Sequence, residues 1–373
     1  MKKMLFMAAL AGVALTSCVN EEFENVAPMQ AMKFNVPVMS QTRANVMGEI
    51  SEKTYPSDED FMVFCRSYKG NFAGWESSED VADYFDSEGE VAKNQANQGT
   101  GTASVYWSTE LTHYWPEIEY NLVFAAYSPA VLTTAPDAIT HTDKGLLIDG
   151  FQTEANANKQ YDLMYTEHYA DRNKNNNGKD AVSLDFKHAL SSIVFSAARN
   201  DDPGVEYKIN DIKIEGTFYQ KGNFDQNITA STEDGEYKET SAPIWHLDGE
   251  TATAALYEPA FEEFTLPKGN PTPFTKGKSA LLLIPQEIPA DAYVTLYYTK
   301  ITNPGTDNEK SLATSAKIKM TNFLDSETNQ EITEWERGKR YIYRVEFGQN
   351  THIYFKPTVT DWVDHPALIY TIQ

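Results

Sequence analysis

Cysteine is scarce in this chain, which has only Cys18 and Cys65 among its 373 residues. One of the two lies in a leader-like segment, so the folded part keeps a single cysteine and has no intrachain disulfide framework. Apolar cores must therefore supply the stability. Hydrophobic residues make up 41% and aromatic residues 12% of the chain, and a chain of this length is expected to form two domains.

Positive charge is scarce as well. The chain has 31 Lys and Arg residues against 54 Asp and Glu residues, which gives a formal net charge of -23 at pH 7. Such a charge repels nucleic acid and anionic lipid. The composition thus argues against a nucleic-acid partner and against a polybasic contact with a membrane surface.

The sequence has no apolar run long enough to span a membrane. The nearest to one is residues 4–15, which follow Lys2 and Lys3. This run has the length of the apolar region of a signal peptide and is too short to span a bilayer. It ends in Leu-Thr-Ser before Cys18, which resembles a lipobox, where the cysteine is acylated and becomes the new N-terminus. We predict a lipoprotein signal peptide over residues 1–17 and a membrane anchor on Cys18. An ordinary secretory signal is the alternative.

Signatures of catalysis and of metal binding are absent from the sequence. It has no Gly-X-Ser-X-Gly elbow, phosphate loop or dinucleotide fingerprint, and its seven histidines lack zinc-type spacing. Residues 171–178 alternate Asp and Asn oxygens, but Asn176 and Val182 stand where a calcium loop needs glycine and a bidentate glutamate. An exposed turn between strands is the better interpretation. We predict no enzyme activity, no metal site and no cofactor.

Two residue types still deserve a structural interpretation. His188 lies between two apolar runs, where a buried, hydrogen-bonded imidazole is expected rather than a catalytic one. The six tryptophans could form a platform for sugars, but tryptophan in an all-β domain more often packs in a core.

Alternating apolar residues are what the sequence does contain, beginning at residues 31–38. Four apolar side chains stand there at alternate positions, the period of a strand with one buried face: Met32, Phe34, Val36 and Val38. Pro37 lacks an N–H group, which predicts that this strand lies at a sheet edge. Arg43 and Ala44 follow in a polar segment that a trypsin-like protease can reach.

The rest of the chain consists of short apolar or alternating runs between clusters of Gly, Pro, Asn and Asp, which predicts an all-β fold. Strands are predicted at residues 61–65, 105–107, 121–127, 146–148, 162–165, 182–186, 188–196, 209–214, 280–284, 294–298, 315–320, 341–347, 353–355 and 368–372.

One helix is predicted over residues 77–85, from a serine cap and an acidic first turn. A domain boundary is placed between residues 189 and 190, which divides the chain into domains over residues 44–189 and 190–373. The strand spacing of the second domain fits a β-sandwich.

Several stretches together resemble the fimbrillin family, the pilins of type V fimbriae. They follow one another through most of the chain: residues 114–116 (YWP), 122–129 (LVFAAYSP), 162–165 (DLMY), 184–193 (LDFKHALSSI), 281–286 (LLLIPQ), 335–343 (WERGKRYIY) and 359–362 (VTDW). Ser192 departs from the family pattern, in which lysine is expected.

This resemblance implies two tandem transthyretin-like β-sandwich domains. It also implies a lipidated precursor at the outer membrane, from which an arginine-specific protease removes the N-terminal segment with its first strand. A donor strand from a neighbouring subunit then fills the vacated groove. The implied function is that of a surface pilin that polymerises by strand exchange and supports cell adhesion.

Applied to this sequence, the hypothesis makes residues 18–43 the lipidated tether and propeptide, with processing between Arg43 and Ala44. The candidate donor residues alternate near the end of the sequence: Leu368, Tyr370 and Ile372. They could instead form a final strand that stays in place, which would make the chain a tip or accessory pilin.

The expected partners are other pilin subunits, a host or bacterial surface ligand and, for the precursor alone, the membrane through its lipid. The expected location is a fimbrium at the cell surface. The competing hypothesis is a lipoprotein that stays anchored to the outer membrane and binds glycan, since a β-sandwich by itself does not fix a function.

Overall fold

The computed structural model describes most of the chain between residues 31 and 361. The described residues are 31–36, 55–56, 58–70, 72, 74, 78–95, 106–117, 119–132, 135–173, 175, 181–199, 204–233, 236–259, 261, 263–275, 280–322, 331–348 and 353–361, with backbone alone for 230–233, 236–239 and 353–361. Strands dominate these described residues, which also include two short 3-10 turns, Ala157–Lys159 and Met320–Asn322. No helical segment in this part of the chain has the length and hydropathy to cross a bilayer.

Short strands follow one another from the first described residue to the last. Up to residue 188 they are β1 (Phe34–Asn35), β2 (Phe61–Lys69), β3 (Glu79–Asp83), β4 (Glu90–Asn94), β5 (Trp107–Thr109), β6 (Tyr120–Ser128), β7 (Ala138–Thr142), β8 (Gly145–Gln152), β9 (Met164–Thr166), β10 (Tyr169–Arg172), β11 (Val182–Ser183) and β12 (Phe186–His188).

After residue 190 the strands are longer on average. They are β13 (Ser191–Arg199), β14 (Val205–Phe218), β15 (Lys221–Asp225), β16 (Ile228–Glu233), β17 (Glu236–Ser241), β18 (Ile244–His246), β19 (Thr253–Tyr257), β20 (Phe264–Thr265), β21 (Thr272–Pro273), β22 (Leu281–Leu283), β23 (Gln286–Glu287), β24 (Tyr293–Thr302), β25 (Lys310–Lys319), β26 (Glu334–Trp335), β27 (Lys339–Phe347) and β28 (Ile353–Asp361).

Sheet 1 contains ten strands of the first half, in the order β11-β1-β5-β4-β2-β6-β9-β12, with β3 also on β2 and β10 also on β6. Its two end strands, β11 and β12, are separated in sequence by Leu184 and Asp185 alone. The sheet therefore curls until its ends lie close together. The space inside holds the first core, which includes Phe61, Trp107 and Phe124.

Two further sheets form a sandwich in the second half. Sheet 3 has the order β21-β13-β27-β28 with β22 on β13, and sheet 4 has the order β19-β14-β24-β25 with β20 on β14. Alternate residues of both sheets point inward, among them Phe195, Tyr343 and Ile212, and form the second core. The β-sandwich predicted for this half is confirmed.

Sheet 2 joins the two halves, because β7 and β8 pair with β15 and β18 in the order β18-β15-β8-β7. Between sheets 1, 2 and 3 lies a junction core that includes Phe64, Ile148, Val194 and Leu282. Strands from either side of residue 190 thus share one sheet. Sheet 2 therefore crosses the predicted boundary between residues 189 and 190, with two of its four strands from each side. The boundary itself stays a prediction.

The turn Glu336–Gly338 fastens the second half to the first through polar contacts. Arg337 donates from Nη1 to the hydroxyl of Tyr165 in the first half at 2.7 Å. The N–H of Gly338 donates to the carbonyl of Leu190, the first residue after the predicted boundary, at 2.8 Å and positions the turn. Gly338 has φ of +69°, a backbone conformation that glycine adopts without steric cost.

The all-β prediction is confirmed, and every strand predicted between residues 61 and 355 overlaps an observed one. The helix predicted over residues 77–85 is wrong, because β3 occupies Glu79–Asp83 and pairs with β2. Its acidic residues face basic ones across the pair: Arg66 contacts Asp83 at 2.6 Å and Lys69 contacts Asp80 at 2.8 Å. Tertiary strand pairing outweighs a helical signal of this length.

The predicted edge position of the first strand is also wrong. β1 lies between β5, to which it is antiparallel, and β11, to which it is parallel. The parallel partner comes from almost 150 positions further along the chain and is two residues long, so no local pattern reveals it.

A pair of histidines holds sheet 2 against sheet 1. The Nε2 atoms of His141, on β7, and of His168, between β9 and β10, lie 2.9 Å apart, and the ring of Phe64 packs against His141 at 5.5 Å. Burial lowers the pKa of His141 well below its usual value, and the positive charges of His168 and Arg66 lower it further. The folded chain therefore keeps His141 neutral.

Acid is expected to weaken this contact. Because His141 takes up a proton more readily when the chain is unfolded, its contribution to stability is complete above about pH 6.5 and is lost as the pH falls below that value. His141→Gln keeps a hydrogen-bonding side chain without this titration. Urea unfolding of this variant should show a loss of stability between pH 7.5 and pH 5.5 that is smaller than the parent's by about 1 kcal/mol.

The matched control is Thr140→Ala, at an exposed, non-titrating position next to His141 on β7. This substitution should leave the pH dependence as it is in the parent. An unchanged pH dependence in His141→Gln would contradict the assignment.

Candidate functional site

Residues 31–36 close the first core from one side. Met32, Phe34 and Val36 are 5%, 1% and 3% exposed, whereas Lys33 and Asn35 between them face solvent. The predicted alternation is confirmed at these three buried positions. The fourth, Val38, lies outside the described residues.

Strand β5 and the chain after it flank these residues on one side. Phe34 pairs with Trp107 in antiparallel register. Further along, the N–H of Met32 donates to the carbonyl of His113 at 2.8 Å, and Ala31 forms a bridge with Tyr114.

Strand β11 flanks the same residues on the other side. The N–H of Val182 donates to the carbonyl of Lys33 at 2.7 Å, and the N–H of Leu184 donates to the carbonyl of Asn35 at 2.8 Å. Within the described residues, β11 has no strand partner other than β1. The first strand therefore also holds one end of sheet 1 in place.

Phe34 is the centre of the contact. Its ring meets the rings of Phe61, Phe85 and Phe124 edge-on, with centroids 6.1, 6.3 and 5.6 Å away. Edge-on aromatic pairs add about 0.5–1.5 kcal/mol each beyond the burial of apolar area. The pocket is thus shaped for an aromatic side chain.

We call the space that residues 31–36 fill between β5 and β11 the groove. If these residues left, the pocket of Phe34 would open and two rows of backbone groups would lose their partners. Unpaired strand edges and exposed apolar area both favour pairing with another strand. In chemical terms the site can bind an extended peptide with apolar side chains at alternate positions.

The floor of the groove near Trp107 is fixed by aromatic and polar contacts. Trp107 donates from Nε1 to the carbonyl of Glu59 at 2.9 Å. Tyr55 packs against Trp107 at 5.6 Å, and its hydroxyl lies 2.8 Å from that of Ser128.

An acidic residue beside this floor has an altered pKa. Burial raises the pKa of the Glu59 carboxyl to about 7, and the negative charges of Asp58 and Asp60 contribute to the rise. The folded chain therefore holds Glu59 partly protonated near neutral pH.

Most of the other residues singled out from the sequence cannot be placed. Cys18, Arg43 and Ala44 lie outside the described residues, as do the candidate donor residues Leu368, Tyr370 and Ile372. Their roles stay predictions.

The polar residues considered as possible sites have structural roles. His188 donates from Nδ1 to the buried carboxylate of Asp162, at 2.9 Å from Oδ2, as expected for a hydrogen-bonded imidazole. Asp171 accepts hydrogen bonds from the hydroxyl of Tyr68 at 2.9 Å and from the N–H of Phe72 at 2.8 Å. Among the described residues, no group of three or more His, Cys, Asp or Glu side chains could hold a metal ion.

The described tryptophans pack inside the protein. Trp107, Trp115 and Trp335 are buried, and Trp245 is half-buried and donates to the carbonyl of Ala189 at 2.7 Å. Core packing is therefore confirmed as the role of these four side chains.

The sequence analysis did not identify the residues of β5 and β11 that line the groove. Trp107, Val182 and Leu184 all lie in strands or turns that were predicted, but nothing in their spacing pointed to the first strand. A tryptophan in a three-residue strand was the available signal, because so large a side chain on so short an element implies a long-range partner.

Comparison with known proteins gives one family match. The family model described as fimbrillin-like matches residues 66–362. No curated protein matches the chain.

Among solved structures, the chain is similar to a fimbrial protein from Bacteroides vulgatus, with 15% identity and a TM-score of 0.51, over 90% of this chain and 100% of the other. A candidate cell adhesion protein from Bacteroides uniformis shows 12% identity and a TM-score of 0.47, over 90% of this chain and 99% of the other. The first of these likenesses shows a shared fold.

Phe34→Ala should destabilise the uncleaved chain by about 3–5 kcal/mol, because it empties an enclosed aromatic pocket. Denaturant unfolding measures this loss. Amide hydrogen exchange should locate it, since the N–H of Val182 is expected to exchange faster once β1 is weakened.

The control is Asn35→Ala, on the exposed face of the same strand, which should change stability by no more than about 0.5 kcal/mol. Equal stability of the Phe34 variant and the parent would mean that β1 is not part of the core.

Proposed function

The chain belongs to the fimbrillin-like family, and from this premise we propose that it is a structural subunit of surface fimbriae that assembles by strand exchange. In this proposal the chain is made as a lipidated precursor, loses its N-terminal segment, and accepts a strand from a neighbouring subunit in the groove. Its role is to build the fibre that mediates cell adhesion.

One observation carries the proposal. The first strand buries three alternating side chains in the core, yet it pairs with strands that lie far away in sequence. A strand inside a sheet that one backbone cut can release is what strand exchange requires, because the vacated position has two edges ready to bind a replacement.

The lipidated precursor in this proposal is based on the signal peptide predicted over residues 1–17. Cys18 would carry the lipid that anchors the chain to the outer membrane, and residues 18–43 would form the tether and propeptide. Cleavage between Arg43 and Ala44 would release the anchor and β1 in a single step. Removal of the lipid and opening of the groove would then be one event.

The donor in this proposal is an extended segment of another subunit. Leu368, Tyr370 and Ile372 alternate as a donor strand's buried side chains should. Main-chain hydrogen bonds would give such a joint its affinity, and the pockets of the groove its specificity.

The competing function, an anchored lipoprotein that binds glycan, has less support. It calls for a cluster of exposed aromatic side chains. Among the described residues the tryptophans are buried or half-buried, and the exposed tyrosines Tyr114 and Tyr297 belong to different halves of the chain.

Arg43→Ala should block processing. Cells producing this variant should retain a lipidated chain that begins at Cys18, and an unboiled denaturing gel should show a monomer in place of a ladder of polymers. The reason is that β1 stays covalently attached and keeps the groove filled.

Thr42→Ala is the matched control and should leave both processing and the ladder intact. Normal fibres from the Arg43 variant would rule out this processing site.

A further inference from the structure

Strand β25 forms one end of sheet 4, and within the described residues its outer edge has no strand partner. The strand is 10 residues long and mostly exposed, whereas a typical strand has about five or six residues. We propose that this edge binds the same edge of a second copy of the chain. The two β25 strands would pair antiparallel about a two-fold axis at Ser315.

The middle of β25 lacks the devices that usually protect an edge strand, which are proline, a bulge, short length and charged side chains. The strand contains no proline, and its pairing with β24 shows no register shift. Its charged residues are three lysines near its two ends, Lys310, Lys317 and Lys319. Residues 311–316 between them are uncharged.

Lys317 does not shield the free edge, because its side chain is directed across its own sheet. It donates to the carboxylate of Glu215 on β14. Its ammonium also lies 4.7 Å from the centre of the Tyr293 ring on β24. The edge of β25 is therefore accessible to another strand.

The backbone groups at this edge follow from the pairing with β24. The N–H of Met320, directly after β25, donates to the carbonyl of Ala292 at 2.8 Å. Because alternate residues of an antiparallel strand bond to opposite sides, the even-numbered residues of β25 bond to β24. The odd-numbered residues direct their N–H and C=O groups to the free edge: Ser311, Ala313, Ser315, Lys317 and Lys319.

Leu312 shows which side chain a partner would cover. It lies on the same face of β25 as Ile318, which packs against the second core, yet it is 64% exposed. Its neighbour on β24 is Lys300. An apolar neighbour in the plane of the sheet can therefore come only from the free edge.

A two-fold axis at Ser315 supplies that neighbour. In this register Leu312 of each copy lies opposite Ile318 of the other, which forms two apolar cross-strand pairs. Lys317 lies opposite Ala313, and Lys319 lies opposite Ser311, so no two lysines face each other. The backbone groups of the odd-numbered residues meet across the axis.

Other registers fit less well. A shift of one residue would set odd-numbered residues against even-numbered ones, which mismatches both the backbone groups and the two faces. An axis at Thr314 would place Lys310 opposite Ile318. An axis at Ala316 would place Leu312 opposite Met320, which is fully buried beyond the end of the strand.

This contact would extend sheet 4 across two copies. Pairing through one strand edge buries little area, so a single contact is weak. Many copies in a row would strengthen it through multivalency. In a fibre of the kind proposed above, β25 would therefore join neighbouring fibres side by side, whereas pairing of two separate chains does not depend on that function.

The first test is carried out on the exported chain from residue 19 with Arg43→Ala, which keeps β1 in place and so prevents strand exchange. Ser315→Cys in this chain should give a disulfide-linked dimer on mild oxidation. The reason is that hydrogen-bonded pairs have Cα atoms about 5.5 Å apart, within the range of a disulfide. The same chain without the added cysteine, in which Cys65 is buried, sets the background.

The matched control is Ala313→Cys, two residues away on the same exposed face. The two copies of residue 313 would lie about 14 Å apart along the strands, so this variant should give at least about ten-fold less linked dimer. Equal linkage at the two positions, or none at Ser315→Cys, would overturn the proposed pairing. Because strand exchange is blocked, either result leaves the proposed function untouched.

The second test measures association without a disulfide. Sedimentation velocity of the Arg43→Ala chain should show a dimer fraction that rises with protein concentration. Ser315→Pro removes an N–H group that faces the free edge and keeps the hydrogen bonds to β24, so it should weaken association at least about ten-fold. Its urea unfolding midpoint should match that of the parent.

Leu312→Ser is a second variant at an exposed position and should also weaken association. It keeps the proposal testable if Ser315→Pro lowers the unfolding midpoint. A parent that stays monomeric at every concentration would contradict the proposal. Parent-like association of a folded Ser315→Pro chain, or of Leu312→Ser, would contradict it as well.

Discussion

Burial of Phe34 between β5 and β11 is the contact on which the first half of the molecule depends. The Phe34 ring fills an aromatic pocket, and the backbone of β1 forms hydrogen bonds with both β5 and β11. Without β1 these two strands would have no partner between them. Burying each of the three apolar side chains contributes on the order of 1.5–3 kcal/mol. A short segment thus supplies stability comparable with the net stability of a whole domain, although one backbone cut after residue 43 would end its covalent link to the rest of the chain.

The second half does not share this dependence. Its core draws on sheets 3 and 4, and neither this core nor the junction core includes any of residues 31–36. Sheet 2 and the contact of Arg337 with Tyr165 join the halves independently of the groove. Loss of β1 would therefore weaken one end of the subunit and leave the rest folded.

The strands that were predicted combine apolar or alternating residues with turn residues at their ends. Strands such as β18, β20 and β21 were not predicted, because they have two or three residues and bury none of them. The buried face of residues 31–36 was predictable for the same reason. The position of β1 in the sheet was not, because its partner β11 has two residues and lies far along the chain. β3 was mistaken for a helix because its acidic residues suit a helix start equally well, and only their pairing with Arg66 and Lys69 decides between the two. No local sequence pattern indicates that strands from both halves of the chain pair in sheet 2.

The most direct measurement for the removable strand is the intact mass of the subunit recovered from fibres at the cell surface. A chain that begins at Ala44 and carries no lipid is the expected result, since a vacated groove is the condition for accepting a donor. A fibre subunit that still carries residues 18–43 would contradict the central claim, because β1 would then fill the groove in the assembled state.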